Sequence, residues 1–275
     1  MTARVIFTVL KYVSLVVACV VTLLPLGVVL IASLKSGTEF ATSGPFDLPA
    51  NLFNVDNFVT AFVEGDMVQG LINTAFILVV SLAGTILVGT MTAYAIDRFT
   101  FRGKKIVVGL FLIATLVPGV TTQVATFQIV NNLGLFNTLA APIVLFLGTD
   151  IVSIYIFVQF MSSIPKSLDE AAMLDGANRW TIYWRVVLPL LKPAIATVVI
   201  IRGIAIYNEF YIPFLYMPSA KLGTISTALF RFKGPFGAQW EVIAAGTILV
   251  IIPTLILFLF LQKYIYNGFI SGATK

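Results

Sequence analysis

Between Pro165 and Pro193 the chain reads PKSLDEAAMLDGANRWTIYWRVVLPLLKP, its longest polar-amphipathic stretch. These residue types suit recognition, not bond-making. Ser167 with Glu170 three residues on predicts a helix start with a reciprocal cap. Leu168, Ala171, Ala172 and Leu174 give that short helix one apolar flank. Asp175 and Gly176 predict a turn, because glycine tolerates backbone angles that other residues do not. Asn178 predicts the cap of a second short helix carrying Trp180, Ile182, Tyr183 and Val187, after which Pro189 and Pro193 constrain the chain. The product is a helix–turn–helix shelf with a charged start and a fixed turn. Such a shape fits a groove on another protein. The competing reading is an amphipathic loop lying on lipid headgroups.

Residues for catalysis are missing around it. The chain has no histidine, which argues against a metal or proton-relay site built on imidazole. Its one cysteine, Cys19, lies in an apolar run and forms no intrachain disulfide. No clustered His, Cys or paired carboxylates support a membrane enzyme. No G-x-x-x-x-G-K-[S/T] stretch occurs, so any ATP-powered engine belongs to a separate polypeptide.

The elements that must position the shelf are hydrophobic. Of 275 residues, 59% are hydrophobic and 11% charged, against about 25% charged in an ordinary soluble domain. The chain therefore reads as an all-α integral membrane protein forming one transmembrane domain over 1–275. Six apolar segments are each long enough to span the hydrocarbon core as a helix, about 10–33, 71–96, 106–129, 139–163, 190–214 and 242–261. None alternates as a barrel strand does. The first is uncharged from Tyr12 to Leu34, longer than a cleaved signal core, and reads as a retained helix.

With the N-terminus inside, Arg4, Lys11, Arg98, Arg102, Lys104, Lys105, Lys166, Arg179, Arg185, Lys192, Lys263 and Lys275 are cytoplasmic. Only Lys35, Lys221, Arg231 and Lys233 fall outside. This positive-inside bias puts both termini, and the 165–189 loop, in the cytoplasm. The basic residues sit between apolar runs, not on one face, so the net charge of +5 does not signal nucleic acid. The outer segment PFDLPANLFNVDNFVTAF, studded with Phe, Leu and Val, reads as ordered.

The spacing Glu170-Ala171-Ala172, Gly176, then Leu188-Pro189 resembles the EAA loop of ABC-importer transmembrane subunits, with Val186 where that pattern expects isoleucine. NTAFILVVSLAGTILVGTMTAYAIDRFTFRGKK, GLFNT, IYNEFYIPFLY and AAGTILVIIPTLILFLFLQKYIYNGFISGATK are similar to the MalG-like permease subunit of carbohydrate importers. The resemblance covers nearly all of 10–275 and implies a type I ABC importer permease fold in a bacterial or archaeal cytoplasmic membrane. It implies that Glu170, Ala171, Ala172, Asp175, Gly176, Ala177, Leu188 and Pro189 couple to an ATPase, with Glu170 meeting a basic group there. It also implies the company: a second related permease, two ATPase subunits carrying ATP and Mg, and an extracytoplasmic sugar-binding protein. No cofactor or metal is expected on this chain. The tail Gly268–Lys275 resembles one that approaches the ATPase interface; a frayed end is the competing reading.

Arg202 and Glu209, seven apart, lie on similar faces of an apolar segment. A lone charge in lipid costs a few kcal/mol, so both are expected to face protein or the cavity. Interhelical pairing is the favoured role for Arg202. Asn208 and Glu209 resemble the family's Trp-Asn-Glu segment, with Tyr207 in place of tryptophan, which implies a gate or interface. A sugar path uses amides for hydroxyls and aromatic faces for ring C–H surfaces. Candidates are Asn73, Gln123, Thr126, Gln128, Tyr155, Tyr207, Asn208, Phe210, Tyr211 and Tyr216, each equally able to serve helix packing. Asp150 is expected near an outer helix end, without a role. The expected activity is ATP-driven import of a di- or oligosaccharide. The alternatives are a permease for a polyol or glycerol phosphate, for which Arg202 is the obvious cation, and a secondary transporter, which would not need the shelf.

Overall fold

Apolar runs without alternation become helices, and the computed structural model is mostly helical. It describes residues 2–148, 150–234 and 237–273, and the side chains of these except 2–5, 148, 257 and 260–273. The chain divides into two compact units, Met1–Val68 with Thr227–Leu255, and Gln69–Ser226 with Ile256–Lys275.

In the first unit, helix α1 (Thr2–Leu34) carries an apolar stretch, Ile6–Leu34, none of whose most apolar window is buried in protein. Such a surface suits lipid. Ser36 and Glu39 form a reciprocal cap on α2 (Gly37–Thr42): the Ser36 N–H donates to Glu39 Oε2 at 2.8 Å, and the Glu39 N–H donates to Ser36 Oγ. Backbone donors of Ser36, then of Ala50, hold the Glu39 carboxyl below the usual carboxylate range. In the outer segment α3 (Asp56–Glu64) is tied down by Asn57, whose amide donates to the carbonyls of Ser33 and Lys35. A two-residue hairpin, β1 (Lys233–Gly234) with β2 (Gly237–Ala238), pairs antiparallel. Ala61, Met67, Phe232 and Val242 form the core of this unit.

In the second unit, α4 (Met67–Arg98) has 32 residues, hence about 48 Å of helix against about 30 Å of hydrocarbon. Its ends therefore reach beyond the bilayer core. The expected span 106–129 is not one helix. It is α5 (Lys104–Leu116) and α6 (Gly119–Asn132), bent by 103°. Pro118 has no N–H to continue the ladder and drives Val117 into an extended conformation, ψ 115°. The segment 139–163 is likewise α7 (Ala140–Gly148) and α8 (Ile151–Ser162). The segment 190–214 is α12 (Lys192–Asn208) and α13 (Tyr211–Tyr216), with Glu209 extended between them. The chain continues through α14 (Ile225–Ala228) to α15 (Trp240–Ala273), whose described apolar part is Trp240–Ile256.

Among the described residues, two helices are long and apolar enough to cross a membrane singly, Ile6–Leu34 and Met67–Arg98, and the count rises to at most five if the bent pairs Lys104–Leu116 with Gly119–Asn132, Ala140–Leu147 with Ile151–Ser162, and Arg179–Leu190 with Lys192–Asn208 are each one span. The side chains of the C-terminal tail from Gly268 lie outside the described residues. The main core packs Ala93, Phe157, Met161, Ile182, Tyr183, Val187 and Val198 together, joining α4, α8 and α12 to the 165–189 loop. Gly89 makes that approach possible: a Cβ there would stand 2.9 Å from the Phe157 ring.

Candidate functional site

The 165–189 loop folds as a shelf, with one change at its start. Lys166 is already helical, φ −67° and ψ −21°, so α9 (Ser167–Leu174) begins without a side-chain cap. The expected Ser167–Glu170 cap is therefore absent: Ser167 is inside the helix, where its backbone has no extended N-cap geometry. Glu170 is exposed instead. The turn is as expected. Gly176 has φ +82°, its N–H donates to the Met173 carbonyl, and the Ala177 N–H donates to the Ala172 carbonyl at 2.9 Å. These two bonds close the helix end around a left-handed residue.

Asn178 Oδ1 accepts the Thr181 N–H at 2.8 Å and caps α10 (Arg179–Ile182). That helix does not stop as the sequence suggests. It runs on as a π-turn, Tyr183–Val187, into α11 (Leu188–Leu190), where the Leu188 N–H reaches the Tyr183 carbonyl. Pro189 so lies in helical chain. A widened turn before it relieves the crowding its ring otherwise causes. The bend comes later, 69° at Leu191, ahead of Pro193 in α12.

The shelf is bolted to the end of α4. Thr90, Tyr94 and Arg98 recur every four residues and share one stripe. Thr90 Oγ1 and Tyr183 Oη hydrogen-bond at 2.8 Å, and Tyr94 Oη donates to the Arg179 carbonyl. Arg98 Nη2 donates to the Ile164 carbonyl at 3.0 Å, and Arg98 Nε pairs with Asp169 Oδ2 at 2.9 Å. Asp97 also contacts Arg98, at 2.6 Å. Sequence reasoning missed Arg98 and Asp169. The signal was there in the four-residue stripe and in a second carboxylate beside Glu170.

Of the proposed coupling residues, Ala172, Ala177 and Leu188 pack against the core, while Glu170, Ala171, Asp175, Gly176 and Pro189 are exposed. Leu174 at 90% exposure and Trp180 at 57% project from the same shelf. The exposed face of the shelf thus mixes Glu170 and Asp175 with Lys166, Arg179 and Arg185, around projecting apolar and aromatic side chains.

The polar candidates within the membrane segments divide. Asp150, expected at a cheap outer end, is buried, caps α8 through the Ser153 N–H, and pairs with Arg202 Nε at 2.8 Å. Arg202 also donates to the Phe146 carbonyl. Glu209 serves the backbone: its Oε1 accepts the N–H groups of Tyr211 and Ile212. Asn73 is buried and donates to the Lys221 and Gly223 carbonyls. Gln123 hydrogen-bonds Tyr211, so Glu209, Tyr211 and Gln123 are brought together. Tyr155 Oη accepts a hydrogen bond from Gln159 Nε2. Tyr207 is buried and Asn208 exposed. Tyr216 is buried beside Phe127, Phe210 stacks on Phe214, and Gln128 is exposed.

Comparison with known proteins agrees with this architecture. The family described as binding-protein-dependent transport system inner membrane component matches residues 2–270. The arabinooligosaccharides transport system permease protein AraQ of Halalkalibacterium halodurans is 30% identical, over 91% of this chain and 90% of that protein. The melibiose/raffinose/stachyose import permease protein MelC of Bacillus subtilis is 31% identical, over 94% of each. A chain in the crystal structure of a bacterial ABC transporter that imports the acidic polysaccharide alginate superposes with a TM-score of 0.82, at 21% identity, over 96% of this chain and 98% of that one.

Proposed function

The chain belongs to the family of binding-protein-dependent transport system inner membrane components, and we propose that it is one permease subunit of an ABC importer for a di- or oligosaccharide. The family is a membrane component of transporters, not an enzyme. In this reading a second related permease pairs with the chain in a bacterial or archaeal cytoplasmic membrane. Two ATPase subunits beneath bind ATP and Mg, and an extracytoplasmic binding protein delivers the sugar. The observation that carries the reading is the shelf: an exposed Glu170, a left-handed Gly176 closing α9, and projecting Leu174 and Trp180, all on a rigid seat. A preformed protrusion of this kind loses little freedom on docking. ATPase closure then displaces the shelf and biases the membrane helices between inward- and outward-facing arrangements.

A neutral cargo is favoured over a phosphorylated one. Arg202, the cation that suited an anionic substrate, is already paired with Asp150. The names of the relatives AraQ and MelC point to oligosaccharides. Gln123 and Tyr211, which hydrogen-bond each other, are the candidates for a sugar path in this reading, with Glu209 capping the start of α13. The test is calorimetric titration of the purified binding protein with a carbohydrate panel, followed by ATP-dependent uptake of the hit into proteoliposomes holding the assembled complex. Tight binding and uptake of an oligosaccharide are expected. Tight binding of only a non-sugar refutes the substrate class, and ATP-independent uptake refutes the importer.

A further inference from the structure

Helix α9 is eight residues long, and its one buried residue is Asp169. A helix normally holds to its domain by an apolar stripe. Here Ala172 packs partly buried against the core, and the residue buried outright is a carboxylate. The Asp169 side chain is 3% exposed and faces Arg98, whose side chain is 2% exposed. Arg98 is Asp169's only ion-pair partner among the described residues. The same guanidinium donates to the Ile164 carbonyl, so one side chain of α4 grips both the chain leading into α9 and the first turn of α9 itself. Neither residue is free to touch another protein.

We propose that Arg98 and Asp169 are positioning residues, a strut that makes α9 and the cytoplasmic end of α4 move as one body. This rests on the reading of the shelf as the element an ATPase displaces. Apolar contacts tolerate sliding. A buried ion pair is costly to separate and so resists sliding, and fixing register is the best-attested use of such pairs. A push received at exposed Glu170 and Leu174 is thereby delivered to α4 at Arg98, not absorbed by rocking of a short helix. The other α4 bonds, at Thr90 and Tyr94, hold only the second half of the shelf, at Tyr183 and Arg179.

The test uses the full complex with Cys19→Ser and spin labels at Leu174→Cys and Met91→Cys. Their separation is measured nucleotide-free and after trapping with ATP and orthovanadate. One narrow distance, the same in both states, is expected with the strut intact. Asp169→Leu leaves Arg98 paired with Asp97, so it strands no charge. In it, the trapped state is expected to show a second distance or at least a doubled width, and ATP-dependent uptake per assembled complex is expected to fall roughly tenfold. Asp169→Asn, uncharged and of the same shape, is the second variant should Asp169→Leu not assemble. A purely structural role lowers the yield of complex but leaves the trapped distance unchanged. An unchanged, narrow trapped distance in whichever variant assembles overturns the strut and leaves the coupling reading standing. Normal ATPase co-purification and uptake with Glu170→Lys overturns the coupling reading itself, whatever the label distances.

Discussion

Gly176 offers a perturbation whose magnitude can be worked from geometry. Its φ of +82° is open to glycine but costs an ordinary L-residue about 1–2 kcal/mol. A Cβ at this position meets nothing within 4 Å inside the chain, so no packing term adds to that strain. Gly176→Ala therefore shifts the turn toward alternatives by a factor of about 5–30. Relaxing φ removes the bonds from Gly176 to Met173 and from Ala177 to Ala172, and with them the angle between α9 and α10. Uptake per ATP hydrolysed, in proteoliposomes holding the assembled complex, should fall, by at most that factor, while complex yield stays normal. Gly176→Asn separates strain from a clash with a docked ATPase. Asparagine is bulkier than alanine but tolerates the left-handed region. If backbone strain is the cause, Asn retains more coupling than Ala; if contact with the ATPase is, Ala retains more. Normal coupling in Gly176→Ala would refute the claim that the turn sets the angle.

Three other outcomes are expected. Arg202→Met strands the Asp150 carboxylate and should cost about 3–5 kcal/mol, seen as a lower melting temperature in detergent, with most of it recovered in Arg202→Met/Asp150→Asn. Tyr183→Phe removes one buried hydroxyl, but Thr90 keeps its bond to the Ile86 carbonyl at 2.6 Å. The cost should be about 0.5–1.5 kcal/mol, or about 2–4 °C per kcal/mol for a chain of this size. The Glu39 pKa is lowered by folding, so its cap contributes fully above the ordinary glutamate value of about 4.3 and is lost as pH falls through the lower folded value. Hydrogen-exchange protection of the Ser36 and Ala50 amides should show that step, and Glu39→Gln should abolish it.

Length and apolarity made the helical segments legible, because crossing lipid demands both. Gly176 and Asn178 were legible because left-handed turns and N-caps depend on the residue itself. The reciprocal cap was misplaced from Ser36–Glu39 to Ser167–Glu170 because the two share the same spacing, and only the conformation of the preceding residue separates them. The breaks at Pro118 and Glu209 were passed over because hydrophobicity continues across them. The π-turn ahead of Pro189 leaves no local signature. Interhelical pairing of Arg202 was expected and occurs, but its partner Asp150, like the pairing of Arg98 with Asp169, could not be named because the partners lie tens of residues apart.

Four charged residues near the membrane segments, Arg98, Asp150, Arg202 and Glu209, share one use. In hydrocarbon, any interruption of a helix frees N–H and C=O groups that water cannot satisfy. Asp150 stands at the start of α8, takes the Ser153 N–H and brings Arg202 to the Phe146 carbonyl. Glu209 stands between α12 and α13 and takes the Tyr211 and Ile212 N–H groups. Arg98 ends α4 and takes the Ile164 carbonyl just after α8. Each charge is committed to backbone at a helix end. A buried charge so committed is costly to redirect toward a substrate, since leaving its partners unpaired forfeits more than a single solute contact returns. On the proposed reading, that leaves neutral amide and phenol groups such as Gln123 and Tyr211 as this chain's candidates for contact with cargo.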